Sequence, residues 1–579
     1  MKRLRLVFVL LLLVVLLAAG FVWFNLPGKA DLADYAPADS LVYVEFNNLA
    51  EVAHAIQATD VWKAAAPITR SKPPSENRVL TAAARAGIGP IESVLFARIQ
   101  VALVVVGLNT IEQDQTLRLR PEIALIAETH TSRWRTKPVM IDVVRRLTNY
   151  TFGASQCVGP SGDNDRFECS LPGGDRKLVG VIQGTAIILA NSDSALASCL
   201  AVRNGTRPSL RTDAEFVQSR ASVATQQSLG FAYISSANSG KLFSWAAPLW
   251  LGVAPGDQQF QQLLAVSAGK ILRGIAWTAV PSGGGIEDRF LFSLEPGVAT
   301  RLEPAFETSA RDENVWKLVP GNFESLTIYR SREPAAAWGS LSSAVAYKLD
   351  ALPAALFGTL LKSSLSVYGI ADPREALTSL SPPLLTMKPS AVADGSVLIA
   401  RVNDEARLRA SLQHQTGNSQ PQILQGLQAE LDPAKEFTAV FADGYVILGK
   451  TENMRACLAD LRQSVAGVAE EKKRVEDAAR ESSAAIVTYA NDEARLVNFI
   501  STLLMLQGRR LSNDELTQLQ NTVRANFAST ETRLSAAGIE RKTHSAFGQF
   551  STLLGLLQPS GGQQANLYSG RSDSVARRQ

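Results

Sequence analysis

A repeated passage limits the possible folds of this chain more than any other feature. The stretch Val179-Gly180-Val181-Ile182-Gln183-Gly184-Thr185-Ala186-Ile187-Ile188-Leu189-Ala190 leads through a polar patch into Ala197-Ser198-Cys199-Leu200-Ala201. Far downstream, Ala439-Val440-Phe441-Ala442-Asp443-Gly444-Tyr445-Val446-Ile447-Leu448-Gly449-Lys450 leads through another into Arg455-Ala456-Cys457-Leu458-Ala459. Each reads as strand, Gly turn, strand and then a capped helix carrying a cysteine. Ser192-Asp193 and Thr451-Glu452 stand where helix N-caps belong. The gap from Cys199 to Tyr233 is 34 residues and that from Cys457 to Tyr489 is 32. Gly285-Ile286-Glu287 and Gly538-Ile539-Glu540 follow in the same order, 52 and 49 residues after those tyrosines. Pro37 with Ser40 to Tyr43, and Pro320 with Ser325 to Tyr329, open the two series.

The expected organisation is therefore a first repeat over 37–296, a linker over 297–317, a second repeat over 318–558 and a flexible tail over 559–579. A chain of 579 residues also exceeds what one core sustains. Strands are expected at Leu41–Phe46, Leu326–Tyr329, Glu122–Glu128 and Val397–Arg401, with helices at Leu49–Ala66 and Ala335–Lys348. Ser512 and Glu515 have the spacing of a capping box opening a helix to Phe527. Ser282-Gly283-Gly284-Gly285 reads as a hairpin turn. Helices and hairpins in blocks imply an α+β class with antiparallel sheets.

Ahead of the repeats, Lys2, Arg3 and Arg5 precede an uncharged apolar run from Leu6 to Phe24. As a helix that run spans roughly the 30 Å hydrocarbon layer of a bilayer. It reads as a transmembrane helix over 6–24 behind a cytoplasmic tail over 1–5. The positive-inside rule places the body outside, anchored in the cytoplasmic membrane. The competing reading is a signal peptide cleaved near Ala18-Ala19-Gly20. The full expected architecture is an N-terminal transmembrane helix followed by two tandem copies of a mixed domain, with antiparallel sheets and packed helices.

Four cysteines are present. Cys157 and Cys169 flank a turn-rich segment and form a disulfide candidate for an oxidising compartment. Cys199 and Cys457 occupy matching places in the repeats, which suits buried structural thiols.

The chemistry-bearing residue types are sparse. His54, His130, His414 and His544 share no metal-ligand spacing. No Walker loop, dinucleotide fingerprint or nucleophile elbow occurs. Asp163, Asn164, Asp165 and Glu168 crowd one loop but do not follow a calcium-loop series. Glu287 and Glu540 recur in the Gly-Ile-Glu motif, where pairing with a nearby Arg is the plainer role. The apolar stretch Leu242–Val253, with Phe243, Trp245 and Trp250, and its counterpart Leu496–Leu506, read as core helices or as grooves for an apolar ligand. No metal or cofactor is expected. The net charge of +4 includes Lys2, Arg3 and Arg5, so the body is nearly neutral and lacks the basic stripe of a nucleic-acid binder.

With Pro37, Ser40 and Tyr43 opening the first repeat, the layout resembles a group of bacterial exported, membrane-anchored proteins of unknown function with a duplicated domain. That resemblance implies no activity and no site residues. The expected function is a non-enzymatic binding or scaffolding role in the envelope, with an envelope protein as partner. A carrier or sensor of an apolar ligand is the alternative, and a hydrolase with a scattered site the second.

Overall fold

The computed structural model describes residues 30–69, 99–113, 116–130, 156–159, 165–171, 176–235, 269–309, 312–389, 395–412, 420–424, 427–432, 436–462, 466–506, 509–524 and 526–556, with 137, 144, 145 and 267. The chain divides into two compact units, one of residues 1–52 with 79–213 and one of residues 53–78 with 214–579.

In the first unit, seven antiparallel strands pair in the order β1-β2-β3-β7-β6-β5-β4. They are β1 (Val42–Phe46), β2 (Gln100–Gln113), β3 (Thr116–Glu128), β4 (Gln156–Val158), β5 (Arg166–Ser170), β6 (Lys177–Gln183) and β7 (Ala186–Ala190). Gly184, at a φ of 66°, makes the tight β6–β7 turn. One helix, α1 (Asp193–Arg203), lies against the sheet. Its cap is Ser192, whose hydroxyl accepts the Ala195 N–H at 3.1 Å. Ala195, Leu196, Cys199 and Val202 are buried at helical spacing. Burial, opposed by the charge of Arg207, pushes the Cys199 thiol up to about 12, so it stays protonated as a small core side chain.

In the second unit, thirteen strands pair antiparallel side by side. They are β8 (Gly230–Ser235), β9 (Leu272–Ser282), β10 (Gly285–Leu294), β11 (Phe323–Tyr329), β12 (Leu380–Pro389), β13 (Val397–Val402), β14 (Gln420–Leu424), β15 (Leu427–Asp432), β16 (Phe437–Ala442), β17 (Tyr445–Lys450), β18 (Ile486–Asn491), β19 (Phe527–Ser535) and β20 (Gly538–Ser545). Their order is β8-β9-β10-β20-β19-β18-β11-β12-β13-β17-β16-β15-β14.

The run β11-β12-β13-β17-β16-β15-β14 copies the pairing order of the first unit strand for strand. Likewise β18-β19-β20 copies β8-β9-β10. The sequence markers fall on matching elements. Gly444, at a φ of 78°, turns β16 into β17, and Cys457 is buried on the helix that follows.

The helices of this unit used below are α2 (Pro296–Phe306), α3 (Pro334–Ala346), α4 (Ala351–Ser366), α5 (Thr451–Arg462), α6 (Ala466–Glu481), α7 (Glu493–Leu506), α8 (Asn513–Val523) and α9 (Phe550–Leu556). Met454, Cys457 and Leu458 on α5 join Leu326, Ile328, Leu385, Ile399 and Val487 of the sheet in one core. The capping box of α8 is present: the Ser512 hydroxyl accepts the Glu515 N–H, and the Glu515 carboxylate accepts the Ser512 N–H.

The structure corrects the expected architecture on two points. Among the described residues no helix is long and apolar enough to cross a membrane; the run 6–24, assigned to a transmembrane helix, lies outside the described residues. Nor do the repeats build two separate sheets. Strands from both repeats share one sheet, because β10 and β20 zip together from Ile286↔Ser545 to Ser293↔Gly538. Each is the last strand of its series, with a backbone edge left to satisfy, and each satisfies the other.

The register of that seam has its own near-twofold symmetry. Ile286 of one Gly-Ile-Glu motif faces Ser545, and Ile539 of the other faces Phe292, at the matching position. At the centre Arg289 stands opposite its own counterpart, Lys542. Like charges so placed repel. Glu287 relieves this by accepting from Arg289 Nε at 2.6 Å. The other motif carboxylate, Glu540, is in register with Arg533 on β19. The motif Glu287 thus meets a cation beside the seam.

Two smaller differences concern the connections. The expected helix Leu49–Ala66 is two helices, Leu49–Ala58 and Asp60–Thr69, parted where Thr59 turns its hydroxyl back to the Ile56 carbonyl. The linker region 297–317 is largely helical, carrying most of α2 and of the 3-10 turn Asn314–Leu318.

Candidate functional site

The most distinctive element of the first unit is an arm. Strand β1 pairs with β2 from Val101 to Val105 and β7 pairs with β3 from Ala124 to Glu128. The β2–β3 hairpin runs on past both, from Gly107↔Glu122 to Gln113↔Thr116. At 3.3–3.4 Å per residue this two-stranded extension is about 20 Å long. Among the described residues no other strand borders it.

The root of the arm is fixed by polar side chains. The Asn191 side-chain carbonyl accepts the Ile123 N–H at 2.9 Å while its amide donates to the Pro121 carbonyl at 2.8 Å. It thereby imitates one more residue of a neighbouring strand. Glu122 accepts from Asn109 at 2.8 Å and from the Ser192 and Ser194 hydroxyls, each at 3.3 Å. Above this root the backbone edges of the arm face no described strand.

The other end of the same sheet carries a buried polar network. The Gln100 side chain accepts the Ala30 N–H at 2.9 Å and donates to the Ala30 carbonyl at 3.0 Å. His130, at the unusual φ of 53°, places its ring Nε2 2.8 Å from Gln100 Oε1. Its backbone N–H donates to the buried Glu128 carboxylate at 3.0 Å. Tyr35 hydrogen-bonds to Glu128 as well; burial, opposed by Arg203, raises its phenol pKa.

A histidine, a carboxylate and a phenol together could suggest acid–base chemistry. The repeat indicates a structural role instead. Ser381 and Asn403, at the matching places on β12 and just after β13, are likewise joined by a side-chain hydrogen bond in the second unit. The network closes the strand ends and pins the chain at Ala30.

The second unit has a cleft lined by Asp312, Trp316, Arg330, Pro383 and Arg480 among others. Its interior is only about 20 Å³, room for about one water and far below a drug-sized pocket of 300–1,000 Å³. Its cations are committed. Arg330, 7% exposed, donates to the Ser482 and Ala479 carbonyls, and Arg480 pairs with Glu476 at 2.6 Å. Asp312 accepts the Tyr445 hydroxyl at 2.7 Å, and burial followed by that bond pushes the Tyr445 phenol up to about 12.

The residues singled out from sequence are scattered. Cys157 and Cys169 are directly opposite on β4 and β5 and are joined by a disulfide. Glu168 lies 3.9 Å from Lys177 and Asp165 3.4 Å from Lys137; Asp163 and Asn164 are outside the described residues. His54 is exposed on its helix and His544 sits in β20. His414 and Leu242–Val253 lie outside the described residues. Leu496, Phe499, Ile500 and Leu504 of α7 are buried, and Phe499 packs at a tilt against Phe547 with centroids 4.5 Å apart, so this stretch is core.

The buried Asp288 on β10 escaped sequence reading, since an acid between Glu287 and Arg289 reads as a surface charge. It accepts from the Trp277 indole at 2.8 Å, and its other oxygen, Oδ2, has no hydrogen-bond partner among the described residues. Set beside known proteins, the chain matches no family model, no curated protein and no solved structure.

Proposed function

We propose that this protein is a non-enzymatic binding or scaffolding component of the cell envelope, acting outside the cytoplasm. The arm carries the reading. A hairpin extended about 20 Å beyond its sheet, with no described strand along its edges, offers backbone donors and acceptors to a partner. Adding a strand to such an edge is a common mode of protein recognition. The Cys157–Cys169 bond supports the compartment, because disulfides persist where the surroundings oxidise. The carrier alternative requires a cavity against the sheet; where α7 lies, Leu496, Phe499, Ile500 and Leu504 fill that space.

The test places a photo-crosslinking amino acid at Asn109, which is exposed on the arm, in living cells. The expected result is a discrete adduct with one envelope protein, abolished when residues 110–119 are replaced by a short turn. An arm-dependent adduct with a cytoplasmic protein, or no adduct from a correctly folded chain, would overturn the reading.

A further inference from the structure

From the surface of the second unit we infer that α4 is a lipid-contacting helix that lies in the interfacial layer of an anionic bilayer. A leucine-rich helical face belongs against a protein core or in lipid. Yet no residue of α4 is buried, although it includes Leu352, Leu356, Phe357, Leu360, Leu361 and Leu365. Leu352 is 66% and Leu360 41% exposed. The helix packs against α3 and sets Leu365 against the neighbouring core, while Leu352 and Leu360 are left bare.

Two observations identify the occupant. The first is how α4 treats its own polar groups. The hydroxyls of Thr359, Ser363, Ser364 and Ser366 each donate to a carbonyl of the same helix, at 3.1, 2.8, 2.7 and 2.7 Å. Their protons are thus satisfied within the helix, as on the exposed helix α8, so that contact with acyl chains would strand none of them. A protein partner would find few donors on offer.

The second is charge. From Ala351 to Ala371 the sole charged residue is Lys362, and the acid that precedes the helix, Asp350, is matched by Lys270 at 3.0 Å. At the root of the helix the half-exposed Tyr347 ring carries the Arg301 guanidinium 3.6 Å from its centroid, while Lys348, 5.0 Å from the same ring, is matched by Glu295 at 3.2 Å, which leaves Arg301 and Lys362 as the cations beside the leucines. Leucines flanked by an aromatic ring and cations match an interface with acyl chains beneath and anionic headgroups above. A second copy of the chain would bring the same cation and no counter-charge. This inference goes beyond the proposed envelope role and does not depend on the arm.

The test uses the full chain with Leu360→Cys carrying an environment-sensitive fluorophore. Cys157 and Cys169 are bonded and Cys199 and Cys457 buried, so the new thiol is labelled selectively. The same label at Gln218→Cys, an exposed site on another helix, reports attachment through other segments. On vesicles containing phosphatidylglycerol, the label at 360 should shift to the blue and be quenched by lipids brominated in the acyl chain, while that at 218 remains in water. Adding Lys362→Glu should weaken the response several-fold, and Leu352→Glu should abolish it. The inference is overturned if the label at 360 stays in water on these vesicles. It is equally overturned if the blue shift appears without lipid and grows with protein concentration, the signature of a contact between copies.

Discussion

Replacing Arg330 with alanine should destabilise the second unit by about 4 kcal/mol, since hydrogen bonds from a charged donor contribute about 1.5–3 kcal/mol each and two are lost. Arg330 follows β11 and is 7% exposed. Its two terminal nitrogens donate to the carbonyls of Ala479 and Ser482, at the end of α6. The last carbonyls of a helix lack partners in the helix and form the negative end of its dipole. One forked guanidinium meets both needs and ties α6 to the end of β11, where the Arg330 N–H also donates to the Ala485 carbonyl at 2.8 Å. Alanine would take the charged donor from both carbonyls in a poorly hydrated place. Arg330→Lys should recover less than half of the loss, because an ammonium cannot span two acceptors as a fork does. Urea unfolding followed by tryptophan fluorescence reads the effect, with Trp316 beside Arg330 in the same cleft. A loss under about 1 kcal/mol, no more than one ordinary hydrogen bond, would refute this account of Arg330.

The second large effect has the opposite sign. Asp288→Asn should stabilise the protein by about 2 kcal/mol above pH 7 and have little effect below pH 4. Burial raises the Asp288 pKa from 3.8 to about 6, against the opposing hydrogen bonds from Trp277 and the Gln549 N–H and the field of Arg495. A carboxyl whose folded pKa is raised binds its proton more tightly folded than unfolded. Its contribution is therefore fully present below pH 3.8 and is lost as pH rises through about 6. A shift of that size corresponds to about 3 kcal/mol at neutral pH. Asparagine keeps an acceptor for Trp277 and removes the charge, although its amide inherits the unpartnered position of Oδ2, which offsets part of the gain. Melting temperatures of the two proteins between pH 4 and 8 decide it. A constant difference across that range would show that burial of charge is not what Asp288 contributes.

Much of this fold was legible in the chain because its signals are local. Gly184 and Gly444 announce turns that need positive φ, and Ser192 and Ser512 announce helix starts by the donors they can accept. Matching places for Cys199 and Cys457 follow from matching apolar spacing. The remainder depends on contacts distant in sequence. Nothing near Gly285 or Gly538 reveals that β10 and β20 are in register, since each motif is complete without the other. The length of the arm is set by where β1 and β7 stop, which no residue of the arm encodes. The bare surface of α4 is invisible for the opposite reason: leucine at helical spacing normally means core, and here the sheet that would cover it is absent among the described residues. Arg330 and Asp288 look like ordinary surface charges until tertiary contact buries them.

Placement of the body outside the cytoplasm underlies the whole functional reading, and thiol trapping in intact cells tests it most directly. Cells are quenched in acid and the unfolded chain is treated with a bulky maleimide, before and after reduction. The account predicts that Cys199 and Cys457 are modified at once and that Cys157 and Cys169 react only after reduction. Four reactive thiols in a properly folded chain before any reductant is added would contradict it.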